Sequence, residues 1–213
     1  MHTEQLIESL SKDVHRVAPR AIAKRIGFGL AAGGLVATVL VVAVLGVRPD
    51  LRLAMHGFSF WMKWAYTVSL GVGAGRIVAQ LARPTVGSLR IFWVLVIPVL
   101  ILGGVGIGEL ARTLPASWFA MWLGRSWLVC PWLVLTLAAP IFVGLLWSFR
   151  QFAPTRLRAA GAAAGLAAGA WAATIYGLHC PEASALFVLT WYSLGIIAAG
   201  GAGALLGPRL MRW

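Results

Sequence analysis

Acidic side chains are scarce in this chain of 213 residues: six Asp and Glu stand against eighteen Lys and Arg, and all charged residues together make up 11%. An ordinary soluble domain carries roughly 25%. A soluble fold of this size could not hide the apolar surface that the deficit implies. Catalytic signatures are missing as well: there is no G-x-x-x-x-G-K-[ST] loop, no H-E-x-x-H and no G-x-S-x-G. The acids Glu4, Glu8, Asp13, Asp50, Glu109 and Glu182 all fall outside the middles of the apolar runs, and the four histidines form no helix-spaced pair. An intramembrane protease or a haem oxidoreductase has nothing to work with here. The sequence does not read as an enzyme.

What is present points to a bilayer. Apolar residues fill 60% of the positions, and eleven tryptophans suit a protein with two membrane–water interfaces to anchor. The net charge of +12 does not argue for direct nucleic-acid contact, because the basic residues sit in small groups between long apolar runs. The first such run starts near Ile26, after a polar segment too long for a usual signal-peptide n-region, so the first helix is expected to stay as an anchor.

Six runs are long enough to cross a hydrocarbon core, which takes roughly 20 residues: Ile26–Val47, Gly57–Leu81, Leu89–Leu110, Cys130–Phe149, Leu157–Leu178 and Pro181–Leu206. The second carries Lys63 and Arg76, both expected to snorkel from its ends to the headgroups. Lys12, Arg16, Arg20, Lys24, Arg25, Arg76, Arg83, Arg90, Arg150, Arg156, Arg158, Arg209 and Arg212 fall on one side. Only Arg48, Arg52, Arg112 and Arg125 fall on the other, with Lys63 near that boundary. The positive-inside rule then predicts a multi-pass inner-membrane protein with both termini cytoplasmic. The fold class expected is all-α integral membrane: a six-helix transmembrane bundle over residues 26–206, a cytoplasmic segment over 1–25 with a short amphipathic helix, and a tail over 207–213.

The runs are rich in G-x-x-x-G spacings: Gly29–Gly33, Gly71–Gly75, Gly104–Gly108, Gly161–Gly165–Gly169 and Gly203–Gly207. Such spacing lets helix backbones approach closely, either within one bundle or across a homodimer. Pro98 and Pro140 fall inside helices.

Within the N-terminal segment, Leu6, Ile7, Leu10, Val14 and Val17 share one helix face, while Glu4, Glu8, Lys12 and Arg16 take the others. Acids lead and bases follow, the order the helix dipole favours. A helix this short needs a partner for its apolar face. Periodicity alone admits two: the bilayer surface, or a groove on a cytoplasmic protein.

Each of the two cysteines, Cys130 and Cys180, is followed by proline, and the topology places both on the outer face at the starts of the fourth and sixth helices. Proline suits the first helical position, which would put each thiol where the dipole favours a thiolate. Two such thiols could form a redox or soft-metal sensor, with His179 and Glu182 nearby and His56 in the first outer loop. Buried structural cysteines, or a fixed disulfide, fit the same residues. No zinc spacing is present, so the only effector in view is a soft metal at Cys130, Cys180 and His179, and no cofactor is expected.

The opening Thr3-Glu4-Gln5-Leu6-Ile7-Glu8-Ser9-Leu10-Ser11-Lys12-Asp13 resembles that of the NrsF-type (negative regulator of sigma F) membrane anti-sigma factors. So do His179-Cys180-Pro181-Glu182, the following Ala185-Leu186-Phe187-Val188 and Thr190-Trp191-Tyr192-Ser193-Leu194-Gly195, and Trp127 with Cys130-Pro131. The likeness covers essentially the whole chain and departs just after Asp13, where the family has a Pro-Val pair and this chain has Val14-His15-Arg16-Val17. It implies that the N-terminal segment holds an extracytoplasmic-function sigma factor at the membrane. Leu6, Ile7, Leu10 and Val14 would bury against it, Glu4, Glu8 and Asp13 would face its basic surface, and a periplasmic signal at Cys130 and Cys180 would release it. The rival reading is a small six-span transporter or channel for a neutral solute.

Overall fold

The computed structural model describes residues 21–82, 93–149 and 156–211, and among these every regular element is helical. The helix expected near the N-terminus, with Glu4, Leu6, Ile7, Glu8, Leu10, Asp13 and Val14, lies outside the described residues. In chain order the elements are α1 (Ala21–Leu40, continued by a π-turn over Val41–Leu45), α2 (Leu51–Ala54), α3 (Phe58–Leu81) and α4 (Trp93–Arg112). They are followed by α5 (Trp118–Leu123), α6 (Cys130–Phe149), α7 (Leu157–Tyr176) and α8 (Ala185–Leu210), the last containing a π-turn over Val188–Tyr192.

Among the described residues, five helices are long and apolar enough to cross a membrane: α1, α4, α6, α7 and α8. The 24-residue α3 has the length, about 36 Å at 1.5 Å per residue, but is not among them. Lys63, Arg76, Gln80 and several small polar residues dilute its apolar content. Yet α3 runs with the others. Lys63 lies beside the segment after α7, Thr67 bonds Thr174 at 2.9 Å, and a Cβ on Gly71 would meet Trp171. Rising along α3 while falling along α7, these contacts make the two helices antiparallel neighbours.

Small side chains determine the centre. In α7, LRAAGAAAGLAAGAWAATIY, the apolar window has the lowest mean hydropathy of the five at 1.2, and yet 72% of it is buried. Lipid is as apolar as leucine, so helices meet in a bilayer where backbones can close on one another, not where side chains are most hydrophobic. A Cβ on Gly161 would collide with the Gly203 carbonyl, and one on Gly165 with that of Ala199. A second seam joins α1 to α6, where a Cβ on Gly29 would collide with the Gly144 carbonyl and Ser148 Oγ donates to the Arg25 carbonyl at 2.9 Å. Most of the G-x-x-x-G spacing therefore serves packing within the chain. Gly75, Gly104 and Gly108 have nothing within 4 Å of an added Cβ, so the homodimer alternative would rest on them.

Within the described residues α1 is already helical at Ala21, and α8 continues through Gly207 and Pro208 to Leu210. Outward-facing residues such as Leu35, Val44, Trp93, Leu100, Ile107, Trp132 and Val143 form the apolar exterior that lipid would cover.

Candidate functional site

At the end of the bundle opposite Ala21, the connections after α1, α5 and α7 converge on one short stretch, Cys180–Ser184, which has no regular secondary structure. Backbone N–H groups from Glu182 to Ser184 make no backbone hydrogen bond among the described residues. The stretch is held from outside instead. The Glu182 carboxylate accepts from the backbone N–H of Arg125 at 2.7 Å, that of Ser126 at 3.2 Å and the Ser126 hydroxyl at 3.3 Å. Glu109, near the end of α4, accepts from the Ser184 hydroxyl at 3.1 Å and the Ala185 N–H at 2.8 Å, a carboxylate seated at the positive end of α8. Ser184 is the N-cap of that helix, its hydroxyl accepting from Phe187 N–H at 3.5 Å.

Lys63 departs from the sequence reading. It does not snorkel: it is 1% exposed, and its Nζ donates to the Cys180 carbonyl at 3.1 Å and the Glu182 carbonyl at 2.6 Å. Position in the apolar run suggested an end, but the helix extends beyond Lys63 by more than a turn, through Phe58–Met62. Arg48 reaches the same Cys180 carbonyl at 3.4 Å while paired with Asp50 at 2.6 Å. Outside the spans, that pairing raises the Arg48 guanidinium above its ordinary value and holds the Asp50 carboxyl below the usual carboxylate range, in both cases chiefly through the hydrogen bond between them.

Both cysteines are free thiols and wholly buried. Cys130 opens α6 as expected, with Pro131 second in the helix. Cys180 does not open a helix, because α8 starts five residues later at Ala185, so the dipole argument does not reach it. The thiols share one buried cluster with Tyr176 and Tyr192, whose rings lie 5.7 Å apart. Cys180 Sγ lies 3.9 Å from Ser126 Oγ, and the Tyr192 hydroxyl has no hydrogen-bond partner among the described residues. The His179 Nδ1 is engaged with the Gly46 carbonyl at 2.8 Å, and His56 is exposed on the loop before α3. Among the described residues no three His, Cys, Asp or Glu side chains are grouped to hold a metal ion. What the arrangement offers a soft ion or an oxidant is two thiols and no third ligand.

The chain matches the family described as "NrsF: Negative regulator of sigma F" over residues 10–213. The chain belongs to this family. Two relatives align along their full length and that of this chain. The "Probable anti-sigma-F factor NrsF" of Azospira oryzae is 38% identical over 213 residues, and the "Anti-sigma-F factor NrsF" of Caulobacter vibrioides is 39% identical over 217. No solved structure matches. For this NrsF-family chain, the resemblance read from His179-Cys180-Pro181-Glu182 and the N-terminal stretch is thus established at the level of family. The polar clamp was not foreseen in the sequence: Lys63, Glu109 and Ser126 meet the cysteine stretch only through tertiary contacts. An ionisable residue placed more than a turn inside a long run was an available signal.

Proposed function

We propose that this chain is a membrane-bound anti-sigma factor, a regulator and not an enzyme. It sequesters an extracytoplasmic-function sigma factor through its N-terminal helix and releases it on a periplasmic signal received near Cys130 and Cys180. The observation that carries the reading is the NrsF-family match over residues 10–213, with both full-length relatives bearing anti-sigma-F names. Burial of Leu6, Ile7, Leu10 and Val14 against the sigma factor would supply affinity. Glu4, Glu8 and Asp13 would supply complementarity to its basic surface.

The bundle crosses the inner membrane six times in this reading, with α3 as the least apolar crossing. Its antiparallel seating against α7 supports that count. An even number of crossings returns both termini to the cytoplasmic side, in line with the placement of Lys and Arg. The signal is oxidation, covalent modification or soft-metal capture at the two thiols. Their burial means that the Cys180–Ser184 stretch must move before a polar agent reaches them.

A transporter would want a buried charge, and Lys63 is one. Its ammonium, however, is committed to two backbone carbonyls, which leaves it little capacity to handle a solute.

The test is removal of residues 2–18 in cells carrying a reporter for the cognate sigma factor. Release of transcription at unchanged protein level is expected; repression that persists would overturn the reading.

A further inference from the structure

The Cys180–Ser184 stretch carries one of the two thiols, yet its own backbone does little to hold it in place. Among its outside tethers Lys63 differs in kind. It is 1% exposed, it projects from a long helix, and it grips two carbonyls, those of Cys180 and Glu182, on the stretch itself. No carboxylate pairs with it: Arg48 with Asp50 is the ion pair among the described residues, and Glu182 turns its carboxylate toward Arg125 and Ser126. A buried charge satisfied only by carbonyl dipoles is a costly way to fill space, since an apolar side chain of similar volume avoids the desolvation. What the charge provides is directional grip on two carbonyls of a stretch that lies outside any helix.

The remaining groups facing this point are accounted for. Arg48 shares the Cys180 carbonyl at 3.4 Å but is committed to Asp50 at 2.6 Å. The Ser126 hydroxyl lies 3.9 Å from Cys180 Sγ and donates to the Glu182 carboxylate at 3.3 Å. Along α3, one turn further in, Thr67 donates to the Lys63 carbonyl at 3.0 Å and receives the Thr174 hydroxyl at 2.9 Å. One turn in on the neighbouring face, the Tyr66 hydroxyl meets Ser193 at 2.6 Å. Lys63 thus joins the irregular stretch that carries Cys180 to a helix bonded to both α7 and α8.

We propose that Lys63 is a positioning residue whose buried ammonium holds the Cys180–Ser184 stretch shut over the thiols, so that the strength of this grip sets how readily Cys180 can be reached. The inference rests on the reading of the thiols as the signal-receiving groups and identifies what controls their access. Opening the stretch withdraws two carbonyls from Lys63 at once, which couples thiol exposure to α3.

The test is the rate at which a membrane-permeant maleimide labels Cys180 in full-length protein in membrane vesicles, with Cys130→Ala removing the other thiol. Lys63→Met is expected to raise the rate roughly tenfold or more, because labelling of a closed site follows its opening equilibrium. Lys63→Arg, which keeps a charged donor, should restore most of the slow rate. A Lys63→Met rate equal to that of the parent overturns the proposal. To separate local opening from unfolding, Ser148→Cys is labelled at the far end of the bundle in a chain lacking both native cysteines. It should stay slow with Lys63→Met, and acceleration there as well would make the lysine a support of the whole bundle and overturn the proposal. Sigma-factor capture is not read in this assay. Failure of that reading, seen as repression persisting without residues 2–18, would leave the labelling result standing.

Discussion

The Glu182 carboxylate accepts a 2.7 Å hydrogen bond from the backbone N–H of Arg125, 57 residues earlier in the chain. One side chain thereby joins the stretch that carries Cys180 to the turn that leads into Cys130. Close to this joint is Gly124, the C-cap of α5, at φ +58, where an added Cβ would lie 2.7 Å from Glu182 Oε2 and from Phe187 Cδ2.

Glu182→Ala should therefore lower stability by about 1–3 kcal/mol, the cost of leaving backbone donors unpaired, while Glu182→Gln keeps an acceptor and should lose less. Gly124→Ala should cost a similar amount through backbone strain and the clash with the carboxylate. The double variant should lose less than the sum of the two single losses, because removing Glu182 relieves part of the clash. Unfolding of the detergent-solubilised chain, followed by circular dichroism, measures all three. Strict additivity would show that the two residues do not share a joint.

The glycine seams differ in what they tolerate. Gly161→Val places a branched side chain against the Gly203 carbonyl, and loss of at least ~2 kcal/mol, or of folded protein altogether, is expected. Gly104→Val and Gly108→Val meet open space and should fall within about 0.5 kcal/mol of the parent in monomeric detergent-solubilised protein. Comparable losses at all three positions would contradict the assignment of seams.

Part of the architecture was legible in the sequence because long apolar runs mark out long helices. The run Cys130–Phe149 is the helix α6 residue for residue, and Leu157 opens α7 as expected. The start of α8 was placed at Pro181, since proline favours helix starts. Ser184, capping with its hydroxyl and supported by Glu109, moves it to Ala185. The clamp was not legible for a different reason. Periodicity reports which face of a helix is apolar, but not which carbonyl on another element a buried lysine will find. Lys63 lies on the same face as Phe60, Thr67 and Leu70, all buried, so its inward direction was written in the i, i+4 spacing. Its partners were not.

The Arg48–Asp50 pair gives a pH signature outside the spans. The carboxyl of Asp50 is held below its ordinary range by Arg48, so its contribution to stability is complete above about pH 4 and is lost only as pH falls through the lowered folded-state value. The difference in unfolding midpoint between the parent and Asp50→Asn should be flat from pH 7 to about pH 4 and shrink below it. A difference that already shrinks between pH 7 and pH 5 would place the pair's titration elsewhere.

Replacing both cysteines with serine should leave repression intact and abolish induction, because the fold does not depend on a disulfide between them. The check is a sigma-dependent reporter read with and without a thiol-reactive inducer. Full induction in Cys130→Ser, Cys180→Ser protein would remove the thiols from the signal path.

The most direct test of the central claim is co-purification of a sigma factor with the tagged full-length chain from membranes of its source organism, beside the variant carrying Leu6→Asp and Leu10→Asp. The account predicts that one extracytoplasmic-function sigma factor is retained by the parent and lost from the variant at equal membrane abundance. Equal recovery with both chains, or no sigma factor with either while repression is absent in cells, would contradict it.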